Sequence, residues 1–155
     1  MLNAVGIYAP KEIDIDAIVG HFQATLGFDR LDPQPFDSEF AIGKQSNGSI
    51  VRLWLVRAPE QHIEDARGWD WIDESTRAEL PGKKVFTMEF NDFEVAKKVV
   101  SDLIAMTCER GNLVIDNDLG VLLKGSDVRL CLERDPSWRW DRETFPEIEG
   151  CPHVE

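Results

Sequence analysis

Hydrophobic positions along the chain fall into two periods, one of two residues and one of about 3.6, and the switches between them mark out the elements. Residues 4–10, AVGIYAP, read as a strand. A helix follows over 14–26, because Ile15, Ile18, Val19, Phe22 and Leu26 share one face. Asp14 or Asp16 can cap its start, and Gly27 can close it in the left-handed conformation. Residues 39–43 look like a short strand, and Ser46-Asn47-Gly48 is the turn into the next one, in which Val51, Leu53 and Leu55 alternate with polar neighbours. Past residue 83 the order recurs. Phe86, Met88 and Phe90 make one apolar row over 84–90. Asn91 opens a helix with Glu94 in a capping-box position, and Phe93, Ala96, Val99, Val100, Leu103 and Ile104 form its stripe up to Gly111. Residues 113–115 and 121–123 then read as two short strands around a turn at 116–120.

Two stretches are nearly the same. GSIVRLWLVRAP (48–59) and GSDVRLCLERDP (125–136) agree at eight of twelve positions, at an offset of 77. The second copy carries the same alternation, Val128, Leu130 and Leu132, and predicts a strand over 127–133. The expected fold class is α+β: two β-α-β-β halves, 1–59 and 83–136, forming one antiparallel sheet with the helices packed on one face. Residues 60–82 connect the halves, with a short helix expected over 73–80 before Pro81-Gly82. Residues 137–155 form an irregular tail, and the whole of 1–155 is expected to be a single domain.

Composition narrows the function. The chain has 155 residues, 43% of them hydrophobic and 30% charged, enough apolar material for a real core. Seventeen basic against twenty-nine acidic residues give a net charge of −12. That excludes a basic footprint for nucleic-acid phosphates and disfavours docking on an anionic membrane. The connector concentrates the acidity, with Glu60, Glu64, Asp65, Asp70, Asp73, Glu74 and Glu79 against Arg67 and Arg77. The N-terminus lacks a basic region followed by a long apolar run, and Cys108, Cys131 and Cys151 form neither an even disulfide framework nor a metal knuckle. The expectation is a cytoplasmic protein with reduced thiols.

Catalytic chemistry is not legible. His21 lies within the first helix, His62 in the connector and His153 near the terminus, with no spacing that makes a metal site, so neither metal nor cofactor is expected. Duplicated β-α-β-β units occur in metal enzymes of the glyoxalase and ring-cleaving dioxygenase group, whose ligands are strand histidines and glutamates. Here the expected strands offer Glu39, Glu89 and Glu133 but no histidine. Phosphate-cradling glycine loops and nucleophile elbows are also missing. The carboxylate pairs Asp70/Asp73 and Asp116/Asp118 read as solvated loop groups, while Cys108 and Cys131 suit small buried hydrophobes.

Two segments set tryptophans beside acids, GWDWIDE (68–74) and WRWDRE (138–143). Clustered aromatics of this kind either plug a core from its loops or form the hot spot of an interface. The strand GSIVRLWLVR, the acidic connector, the strand-plus-helix KVFTMEFNDFEVAKKVVSDLI and the hairpin NLVIDNDLGVLLKGSDVRLCLERDPSW together resemble small immunity proteins of bacterial polymorphic-toxin systems of the swarming-inhibition type. The resemblance covers about two-thirds of the chain. At Met88-Glu89-Phe90-Asn91 it departs from the charged residues usual in that family's central strand. It implies a cytosolic protein without catalytic residues that binds a cognate toxin and blocks it. The partner surface would then be basic, met by Trp69, Asp70, Trp71, Asp73 and Glu74, with Trp138 and Asp141 as a second group. The alternative is a small enzyme or ligand-binding module of duplicated β-α-β-β type; a carboxylate mimic of nucleic acid fits less well, because the acids cluster instead of recurring at a phosphate-like spacing.

Overall fold

The protein is described by a computed structural model over residues 2–31, 38–68, 74–107, 113–117 and 122–140. The class is α+β, built on a seven-stranded sheet. In chain order the strands are β1 (Asn3–Ala9), β2 (Asp29–Arg30), β3 (Ser38–Ser46), β4 (Ser49–Val56), β5 (Lys84–Phe90), β6 (Val114–Asp116) and β7 (Leu122–Lys124). The helices are α1 (Ile15–Leu26), α2 (Glu60–Arg67), α3 (Glu74–Glu79), α4 (Phe93–Thr107) and α5 (Gly125–Arg134). Across the sheet the order is β2-β3-β4-β5-β1-β6-β7, and every neighbouring pair runs antiparallel.

The period-2 rows set the two faces. Val5, Ile7 and Ala9 of β1, Leu53 and Leu55 of β4, and Phe86, Met88 and Phe90 of β5 point into one core together with Ile115 and Leu123. Three helices cover this face. Helix α1 contributes Ile18, Val19 and Phe22, α4 contributes Ala96, Val99, Val100 and Leu103, and α5 contributes Val128 and Cys131. The ends of α1 follow its sequence closely. Asp14 Oδ1 accepts from the Ala17 amide at 3.1 Å, and Gly27 takes φ 67°, where a side chain would be strained. Asn47 and Gly48, with φ of 52° and 81°, make the two-residue turn that pairs Ser46 with Ser49.

Two expectations are corrected here. Residues 127–133 are not a strand: the second copy of the repeat is the helix α5. The four positions at which the copies differ supply the reason. In the first copy they are Ile50, Trp54, Val56 and Ala58; in the second copy they are Asp127, Cys131, Glu133 and Asp135. Three β-branched or aromatic residues that suit a pleated surface have become two acids and a cysteine. What remains buries Val128 and Cys131 at a spacing of three, with Arg129 Nε 3.3 Å from Glu133 Oε1 one turn on. The halves are therefore β-α-β-β-β and β-α-β-β-α.

The helices also do not all lie on one face. Helix α2 covers part of the opposite face, where Ile63 and Ala66 pack with Tyr8, Leu80, Val85, Val114 and Leu122. The connector was expected to hold one helix over 73–80; it holds α2 as well as α3, and the latter ends one residue before Leu80.

Candidate functional site

The connector builds outward from this second, smaller core. The hydroxyl of Tyr8 donates to the carbonyl of His62 at 3.3 Å and pins α2 to β1. Burial, with Asp116 and Asp65 adding negative charge nearby, pushes the Tyr8 phenol well above its ordinary value. With Ile63 and Ala66 facing the sheet, Glu60, Gln61, Glu64 and Asp65 all face solvent. Asp65 accepts from Gln61 Nε2 at 2.8 Å, whereas Glu60 and Glu64 form no ion pair among the described residues. They stand one turn apart on the same stripe, an arrangement of like charges that costs an isolated helix about 0.2–0.5 kcal/mol. On α3, Glu74 is exposed and pairs with Arg77 Nη1 through Oε1 at 2.6 Å.

Of the residues expected to meet a partner, Glu74 and Trp138 are among those described. Trp69, Asp70, Trp71, Asp73 and Asp141 lie outside the described residues. Glu74 is on the surface. Trp138 is not: it is 4% exposed and belongs to the main core. Its neighbour Trp140 is fully buried, with its ring centroid 4.6 Å from that of Phe93 and 6.3 Å from that of Phe90. Lys97 Nζ donates to the carbonyl of Pro136 at 2.7 Å, and Asn117 Nδ2 donates to that of Trp140, also at 2.7 Å. These bonds hold residues 136–140 down as the last piece of the core. Trp138 is therefore a core residue and not an exposed contact.

Several functional-looking groups escape a reading by sequence-local spacing. His21 Nε2 on α1 lies 2.8 Å from Asp102 Oδ2 on α4, and Lys98 Nζ lies 3.1 Å from Asp102 Oδ1. The pair is separated by 81 residues, so only helix packing reveals it. Asn91, read as a helix cap, instead ties the β3–β4 hairpin to β5. Its Oδ1 accepts from the Ile50 amide and its Nδ2 donates to the Gly48 carbonyl, both at 2.7 Å. Asp92 does the capping: Oδ1 accepts from the Val95 amide at 3.3 Å, and Oδ2 accepts from the Ser49 hydroxyl at 2.9 Å.

Arg52 is half-buried in β4 opposite Glu89 of β5, while Arg129 is exposed on α5, so the two arginines of the repeat do not occupy equivalent places. Cys131 is buried and disulfide-bonded; the other cysteines, Cys108 and Cys151, lie outside the described residues. The expectation of reduced thiols falls with that bond. Among the described residues no group of three or more His, Cys, Asp or Glu side chains is placed to hold a metal ion, and no helix is long and apolar enough to cross a membrane. No protein-family model matches the chain, and no curated protein or solved structure shows significant similarity to it.

Proposed function

We propose that the chain is a binding protein that neutralises a cognate toxin by covering its active surface, with the outward side of the connector facing a basic partner. One observation carries this reading: α2 is seated on the sheet through Ile63 and Ala66 while Glu60 and Glu64 stand in solvent without a described cationic partner. Such carboxylates are poised to gain from a basic surface, and a net charge of −12 would speed the encounter. The seating of α2 on a rigid sheet also limits the ordering cost of binding. The reading does not require a reducing cytoplasm, since the Cys131 disulfide is of a kind that persists in oxidising compartments.

The test is binding kinetics against the product of the neighbouring gene. Glu60→Gln with Glu64→Gln should slow association several-fold at low salt and leave dissociation nearly unchanged; the difference should shrink above ~0.15 M salt, where the Debye length is about 8 Å. Absence of binding, or association indifferent to both salt and these substitutions, overturns the reading. The alternative, a small ligand-binding module, has a specific observation of its own: a half-enclosed cavity of about 400 Å³ beside the β3–β4 hairpin.

A further inference from the structure

The core-facing row of the sheet changes character at the hairpin. Along β3 the inward positions run Phe40, Ile42, Lys44, Ser46, and along β4 they run Ser49, Val51, Leu53, Leu55. The register pairs Lys44 with Val51 and Ser46 with Ser49. Period-2 patterning requires apolar residues on a face that a helix covers, yet three of these last four positions are polar. The helices do not fill the space above them. The last turn of α1 and the first turn of α4 leave the cavity of about 400 Å³, floored by Phe28 and Val51, walled by Leu26 and Val95, and rimmed by Thr25, Lys44, Ser46 and Ser49.

The chemistry of the lining selects an occupant. Its volume falls within the range of small-molecule sites, about 300–1,000 Å³, and such sites combine an apolar body with a few placed polar groups. Phe28 and Val51 are each 2% exposed and packed into the main core, so the floor is apolar. Lys44 supplies the charge. Its Nζ lies 3.5 Å from where a Cβ on Gly27 would be, at the mouth of the cavity and over the end of α1, and it forms no ion pair with a described carboxylate. In a chain with twenty-nine acids, a lysine left in that state beside an apolar slot is available to an anion from outside. Asp92, which shares Ser49 with the rim, is already engaged through both oxygens, by the Val95 amide and the Ser49 hydroxyl.

We propose that this slot binds a small amphipathic carboxylate, its aliphatic or aromatic body lying on Phe28, Val51, Leu26 and Val95 and its carboxylate meeting Lys44, with the Ser46 hydroxyl at the rim. The site shares no residue with α2 and stands independently of the toxin reading.

Titration of the full-length protein with octanoate and with 3-phenylpropionate, followed by amide chemical shifts, tests it. Saturable shifts should centre on Thr25, Leu26, Lys44, Ser46 and Val95. The matching primary amides should bind about tenfold more weakly, and Lys44→Met, which keeps the apolar stem, should abolish that preference. Val95→Trp should block binding of every probe, and Ser46→Leu serves as a second filling variant should the tryptophan unfold the chain. Shifts confined to other surfaces, no saturation, or equal binding of acid and amide would each overturn the proposal.

Discussion

Tyr8 is the chain's one tyrosine, which makes its buried hydroxyl directly measurable. Its folded-state value is raised above the ordinary 10.0 by burial first and by Asp116 and Asp65 second. A raised value means that the folded chain holds the proton more tightly than the unfolded one, so the stability it contributes is present below pH ~10 and is lost as pH rises beyond that. Absorbance at 295 nm should accordingly show no phenolate in the folded protein at pH 10–11, the signal emerging only together with unfolding seen by circular dichroism. Reversible titration near pH 10 in the folded state would mean that α2 does not cover β1. None of this was visible in the residue itself. Tyr8 sits on the solvent side of a strand by its alternation, and only α2, reached 52 residues later at Glu60, turns that side into a core.

At the level of elements, long stripes were legible and short ambiguous ones were not. Helix α1 was expected over 14–26 and spans Ile15–Leu26; α4 was expected to start at Asn91 and spans Phe93–Thr107, because each stripe recurs for three turns or more. The segment 127–133 offered apolar residues at 128, 130 and 132, which satisfy a period of two, while Val128 and Cys131 equally satisfy a helix. Burial separates the two readings. Leu103 on α4 is fully buried, but Leu130 on α5 is only half-buried. Leu103→Ala should cost about 2–5 kcal/mol in denaturant titration, and Leu130→Ala about 1 kcal/mol or less. Equal losses at the two sites would contradict the helical face assigned to α5. The hairpin turn, by contrast, needed no tertiary information, since Asn-Gly is suited to the positive φ angles that a two-residue loop demands.

For the molecule as a whole, the candidate site was the least legible part. Charge singles out the acidic connector, but it could not tell that Trp138 turns inward, because that depends on the core and on Lys97 holding the carbonyl of Pro136. The Cys131 disulfide is a further constraint on the whole chain. An unfolded chain that is cross-linked loses freedom, so reduction should lower stability by about 2–4 kcal/mol and bring down Tm, measured by calorimetry with and without dithiothreitol. An unchanged Tm after complete reduction, verified by thiol titration, would show that the bond contributes little.

The strand order has a bearing on how the protein comes into being. β1 leaves the ribosome first, yet its two neighbours in the sheet are β5 and β6, which begin at Lys84 and Val114. At a translation rate of about 5–20 residues per second, this interior, apolar strand of the nascent chain waits several seconds for a partner. During that interval Val5, Ile7 and Tyr8 are exposed on an unpaired strand, a form in which chains pair wrongly with one another. In the finished sheet the first strand of the N-terminal half is thus paired on both sides by strands of the C-terminal half, and neither of its edges can be covered before residue 90 has been made.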